Sequence, residues 1–316
     1  MEKVGVAGFE PATPTSRTDR VWPNLDILKL GAESGLNLSS YGYVGFGGYK
    51  FYDFEILFRH LGIRDMTSIE GDRSIVARCE FNKPFSFIEI KSNTFSRFIG
   101  RATFNNPMVG WLDFDSPISR DIVDDVLAVG AKVPVGSFIF VTIDAEGLRV
   151  QPLRQRLADL REELQAFALN PSSTDVEFEG FPLYADRVLW AALKAALARR
   201  RDGDFVPLMR VFYKDSTLML TVGGCLCETN VANDLRRRMQ QEFPFLLPRG
   251  RRVTPYTIPL SNFSVRERHL LDAAVTSRAI SRCNQKILSG IGITKDMVGD
   301  YKRLLRFVPK YFETYL

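Results

Sequence analysis

The spacing of apolar positions changes along the chain, and each change marks an element. Tyr41–Gly45 is a short apolar run ending in glycine, which predicts a strand and a turn. Over Tyr49–Leu61, Phe51, Phe54, Leu57, Phe58 and Leu61 recur at helical spacing. Met66–Glu70 predicts a second strand closing on an acid, Arg73–Phe81 a helix, Phe85–Ile90 a third strand and Met108–Phe114 a fourth. Ile118, Ile122, Val123, Val126 and Leu127 give Ser119–Gly130 one apolar face, with Gly130 as the helix stop. Ser137–Ile143 is β-branched and aromatic, as expected of a buried central strand.

Leu153, Leu157, Leu160, Leu164 and Phe167 form an amphipathic stripe, and another helix is expected over Tyr184–Arg200. Phe205–Tyr213 and Thr217–Gly223 meet at Lys214-Asp215-Ser216, which predicts a hairpin. Five strand–helix repeats, a helix and a terminal hairpin predict an α/β fold. Its expected form is a doubly wound, mostly parallel, seven-stranded Rossmann-like sheet with an antiparallel hairpin and a C-terminal helical extension. The Rossmann-like domain is expected over residues 35–227 and a basic, mostly helical extension over 228–316, with a disordered or spurious leader over 1–34.

The strand ends carry the candidate chemistry, because open α/β sheets bind ligands beyond their carboxyl ends at the switch point of strand order. The first such turn is Gly45-Phe46-Gly47-Gly48, where small residues let a ligand approach the backbone. Glu70 closes the second strand close to the interval at which an acid of a Rossmann site holds ribose hydroxyls. Gly45, Gly47, Gly48 and Glu70 are therefore the candidate nucleotide-cofactor residues. The third glycine of a GxGxxG fingerprint is missing, which disfavours NAD, and no phosphate-binding loop with Lys and Ser/Thr is present. Asp113 and Asp115 end the fourth strand and Asp144 the fifth.

The element order resembles that of class I S-adenosylmethionine-dependent methyltransferases, whose last two strands form such a hairpin. The stretch YVGFGGYKFYDFEILFRHLGI and the tail Tyr301–Tyr315 resemble bacterial proteins classed as O-methyltransferases. The resemblance implies S-adenosylmethionine as cofactor, an oxygen acceptor, and Asp113 and Asp115 as catalytic residues. It also implies Mg²⁺ on Asp113 and Asp144, as in divalent-metal O-methyltransferases. Departures are Tyr49 where the family repeats glycine a third time, and Ala145 where metal-dependent members place Asn. The tetrad of RNA 2′-hydroxyl methyltransferases is incomplete: Asp113 matches its acid, Lys214 and Glu228 are loose candidates, and no lysine directly follows the fifth strand.

Composition narrows the remaining choices. No apolar run approaches the ~18 residues of a membrane span. Four scattered cysteines and two histidines leave a structural zinc site short of ligands, and a cytoplasmic location is expected. Residues 1–150 hold 16 Lys+Arg against 19 Asp+Glu, whereas the rest hold 26 against 18. The basic part includes Arg236-Arg237-Arg238, Arg249, Arg251-Arg252 and Lys302-Arg303, interleaved with aromatics. It is expected to be a solvated face or a surface for nucleic acid or a partner protein. Gly5–Thr18 lacks any apolar period and resembles the antisense translation of a tRNA gene, which implies either initiation near Val21 or Leu25 or a gene abutting a tRNA gene. Integration of mobile elements beside tRNA genes links that leader to antiviral defence. The alternative function is then a noncatalytic partner or sensor in a defence complex, or a nucleic-acid-binding methyltransferase.

Overall fold

Successive side chains on a strand point to opposite faces, so runs apolar at nearly every position form strands only where both faces are covered. The computed structural model describes residues 25–146, 152–214, 217–246, 254–258, 263–276 and 287–304. Its strands are β1 (Gly42–Gly45), β2 (Asp65–Glu70), β3 (Ile88–Ser92), β4 (Met108–Pro117), β5 (Phe138–Asp144), β6 (Asp204–Lys214), β7 (Leu218–Cys227) and β8 (Tyr256–Thr257). They form one sheet in the order β3-β2-β1-β4-β5-β7-β6-β8. The first five run parallel, β7 is antiparallel to β5 and β6, and β8 is parallel to β6.

Among the described residues the sheet thus has eight strands, where seven were expected. The extra one, β8, is held by Val211 and Phe212 of β6, and the Ile258 amide donates to the Phe212 carbonyl at 2.7 Å. Its two residues adjoin Ile258-Pro259, a stretch that reads as a linker, because a strand this short leaves no alternation to detect.

One face of the sheet is covered by α4 (Phe95–Arg101), α5 (Arg120–Lys132) and α7 (Phe181–Leu197), whose apolar sides share a core with Val44, Ile69, Leu112, Ile139 and Val141. Helix α5 does not stop at Gly130. A Cβ there would lie 2.4 Å from Cβ of Ala196, so this glycine lets α7 cross closely, and the stop comes at Val133, followed by Pro134. Arg210 on β6 donates to Asp186 on α7, its Nε at 2.9 Å from Oδ1, and lies over the Trp190 ring at 5.0 Å.

The other helices are α1 (residues 25–33), α2 (Tyr52–Leu61), α3 (Val76–Asn82), α6 (Leu153–Leu164) and α8 (Thr229–Glu242). Although α1 falls within the span read as a leader, it buries Ile27, Leu28 and Leu30, and a Cβ on Gly31 would meet the Phe138 ring at 2.6 Å. Helix α8 lies past residue 228 yet buries Val231, Leu235 and Met239. By packing, one unit spans Asp26–Asn262, and the described residues from Phe263 onward belong to a second. That unit contains α9 (Val265–Thr276) and α10 (Lys295–Leu304), with Phe263, Leu271, Leu288 and Ile293 as its core. Ser264 and Glu267 cap α9 reciprocally, as their spacing predicts. Among the described residues, no helix is long and apolar enough to cross a membrane.

Candidate active site

Strand order reverses between β1 and β4, which places the switch point above Gly45 and Asp113. The glycine turn is shaped first by the chain itself. A Cβ at Gly45 would stand 2.4 Å from Oη of Tyr43, and one at Gly47 would lie 2.7–2.9 Å from the rings of Phe51 and Phe54. Gly48 differs: its φ of +52° requires glycine-like freedom, and a Cβ there would meet nothing within 4 Å. The turn is tied to β2 by the Gly47 amide, which donates to Oγ of buried Ser68 at 3.0 Å.

Beneath the turn lies a pair that periodicity does not show. The Tyr43 hydroxyl donates to the carboxylate of Asp53, in the first turn of α2. Burial pushes the Asp53 carboxyl up to about 6, the Tyr43 hydrogen bond opposes this, and the charge of Asp113 adds to the rise. Burial, then the charge of Asp53, holds the Tyr43 phenol well above its ordinary value. An acidic wall thus forms where α2, β1 and β4 converge. The sequence signal for it was an acid three positions before Ile56 in a helix that follows a glycine turn, too common a pattern to single out.

Glu70 ends β2 half-buried, with Oε1 accepting from the Asp72 amide at 2.9 Å and Oε2 3.9 Å from the Cys79 sulfur. Burial, then the Glu70 charge, raises the Cys79 thiol. The next strand end is held against it, since the Asn93 amide donates to the Glu70 carbonyl at 3.0 Å. A carboxylate has about four lone-pair positions, so Glu70 keeps acceptor capacity for hydroxyl groups.

Asp113 is partly exposed and Asp115 exposed. Neither caps the following helix, because Oγ of Ser119 accepts from the Ile122 amide at the start of α5. Below Asp113 runs a buried polar row: the Trp111 indole donates to Oγ1 of Thr142 at 3.2 Å, and that oxygen lies 2.7 Å from Oγ1 of Thr221. Asp113 aligns with Thr142, while Asp144 aligns with Pro117 beyond an irregularity in the ladder. Asp144 is thus on the same face but two residues further on, an offset of roughly 6–7 Å along the strand. Its Oδ1 accepts from the Glu146 amide at 2.7 Å. Among the described residues, no group of three or more His, Cys, Asp or Glu is gathered to hold a metal, so the residues present do not fit the expected Mg²⁺.

The basic run is largely consumed inside the first unit. Arg237 and Arg238 both pair with Asp234, Arg238 also pairs with Glu33, and Arg236 donates to the Phe205 carbonyl. Arg249, Arg251, Arg252, the Lys214-Asp215-Ser216 turn beyond Lys214, the tRNA-like leader and the tail beyond Leu304 lie outside the described residues.

A family model described as "Putative O-methyltransferase" matches residues 25–316. The chain belongs to this methyltransferase family. The match starts at α1 and takes in every described element of both units, so α1 and the second unit are parts of the family's chain. No curated protein sequence matches the chain significantly. Similar solved structures include the N-methyltransferase NodS from Bradyrhizobium japonicum in complex with S-adenosyl-L-homocysteine. It is 11% identical with a TM-score of 0.39, over 69% of this chain and 92% of that one. An O-methyltransferase family protein from Burkholderia thailandensis is 15% identical with a TM-score of 0.31, over 67% of this chain and 59% of that one.

Proposed function

We propose that this methyltransferase uses S-adenosylmethionine to methylate an oxygen acceptor at the switch point between β1 and β4. The observation that carries this reading is the convergence there of the open turn at Gly48, the acceptor capacity of Glu70 and the acidic wall of Asp53 and Asp113. When bound, the cofactor supplies a methyl group on a positively charged sulfur, and the sulfur keeps the bonding electron pair as the methyl leaves.

Glu70 accepts the ribose hydroxyls, as expected of an acid ending the second strand. Asp53 and Asp113 favour a cation beside them, because like charges close together are relieved by an opposite one. Asp113, two residues past the last pair between β1 and β4, faces the acceptor and takes its hydroxyl proton as the new oxygen–carbon bond forms. Asp115, exposed beside it, borders the acceptor entrance. Direct proton removal by a carboxylate needs no ion, in keeping with the staggered Asp113 and Asp144.

Calorimetric titration with S-adenosylmethionine and S-adenosylhomocysteine tests the reading. Saturable binding of both is expected. Binding of neither, or of NAD in their place, overturns it and leaves a noncatalytic role for the same fold.

A further inference from the structure

A cavity lies against one face of β1, β2 and β3, and none of Gly48, Glu70, Asp53 and Asp113 lines it. Helix α4 is only seven residues long, and beyond it the same face of β1, β2 and β3 is left open. The resulting cavity, of about 550 Å³, reaches Gly42, Asp65 and Met108, the first residues of β1, β2 and β4. The candidate active site uses Gly45 and Glu70, the last residues of β1 and β2, and Asp113, further along β4 than Met108. A volume of this size is within the range of about 300–1,000 Å³ found for small-molecule sites, and larger than a lone inorganic anion needs.

Its walls differ in chemistry. Arg97 and Arg101, four residues apart on one side of α4, line it, and among the described residues neither is in an ion pair. The turn that carries them is fixed by Lys132, whose Nζ donates to the carbonyls of Ile99, Gly100 and Ala102 at 2.6, 2.9 and 3.1 Å. Lys91 and Glu89, also in the lining, neutralise each other. Asp65 opposes the arginines from the strand side, Asn105 and Asn106 supply amides, and Phe98 and Phe104 supply partly buried ring surface.

We propose that this cavity binds a mononucleotide, separately from the methyl-transfer site. The phosphoryl group sits against Arg97 and Arg101, where guanidinium groups give charge-assisted hydrogen bonds. The base lies along Phe98 and Phe104, and sugar hydroxyls donate to Asp65 and hydrogen-bond the asparagine amides. A free anion would leave Asp65 and the rings without a role, whereas a neutral nucleoside would leave both arginines without a counter-charge.

The test is titration of the full chain with adenosine 5′-monophosphate in the presence of saturating S-adenosylhomocysteine. Saturable binding is expected, about tenfold or more weaker with adenosine alone and in Arg97→Gln/Arg101→Gln. Because both arginines are exposed, the double variant is expected to keep the parent's melting temperature and its affinity for S-adenosylhomocysteine. No binding of the mononucleotide overturns the proposal, as does its displacement by S-adenosylhomocysteine or an unchanged affinity in the double variant. If S-adenosylhomocysteine itself does not bind, the methyltransferase reading fails, and the double variant still decides this one.

Discussion

The Tyr43 hydroxyl reaches the Asp53 carboxylate by passing through the space that a Cβ on Gly45 would occupy. The glycine, the phenol and the acid are therefore one unit, and the turn cannot be altered without disturbing the charge beneath it. Gly45→Ala is expected to destabilise the fold by about 1–3 kcal/mol, the usual cost of overpacking. Tyr43→Phe/Gly45→Ala should cost less than the sum of its single changes, because the nearest clashing atom is removed. A double-mutant cycle in urea measures the coupling, expected at about 0.5–3 kcal/mol; additive effects would place the strain elsewhere.

Stability should fall as pH rises from about 4 to about 6. Burial is the first cause that pushes both Asp53 and Asp125 up to about 6, whereas in the unfolded chain they titrate near the ordinary carboxylate value of about 4. In that window the native state holds protons the unfolded state has lost, so each added pH unit favours unfolding. Asp53→Asn and Asp125→Asn should each flatten the profile of unfolding free energy against pH. A profile identical to the parent's would show that the substituted carboxyl titrates normally.

Glu70→Ala and Asp113→Ala are expected to separate binding from turnover. Losing acceptor bonds from a charged group costs about 1.5–3 kcal/mol, or roughly ten- to hundredfold in cofactor affinity, so Glu70→Ala should bind poorly. Asp113→Ala should bind and fail to turn over. Titration together with a methyl-transfer assay on any accepted substrate checks both, and normal binding by Glu70→Ala would move the cofactor away from β2.

Asp186→Ala is expected to cost about 3–5 kcal/mol, since it strands the buried Arg210 guanidinium between α7 and β6. Replacing both partners by apolar residues of similar volume, as in Asp186→Leu/Arg210→Met, should recover much of the loss. Urea denaturation measures both. A double variant no more stable than Asp186→Ala would mean that the ion pair itself, beyond its neutralised charges, holds α7 to the sheet.

Local spacing was enough to find seven of the eight strands and helices α2, α3, α5, α6 and α7, because burial of one face imposes a period on neighbouring residues. The capping box of α9 was legible for the same reason, all its partners lying within four residues. The glycine turn, Glu70 and Asp113 could be placed at strand ends, and the stretch around that turn carried the family resemblance. Helix α4 was missed, since two turns give too few apolar positions to establish a period.

Only the tertiary structure decided what those residues face. Register sets Asp113 beside Thr142 and carries Asp144 two residues beyond it, and register depends on pairing between distant strands. Chain packing brings Asp53 under Gly45, sets α7 against Gly130 and supplies Glu33 to Arg238. These contacts join positions far apart in the chain or on different elements. Side-chain type and local period specify which face a residue lies on, but the partner it meets depends on how the elements are stacked.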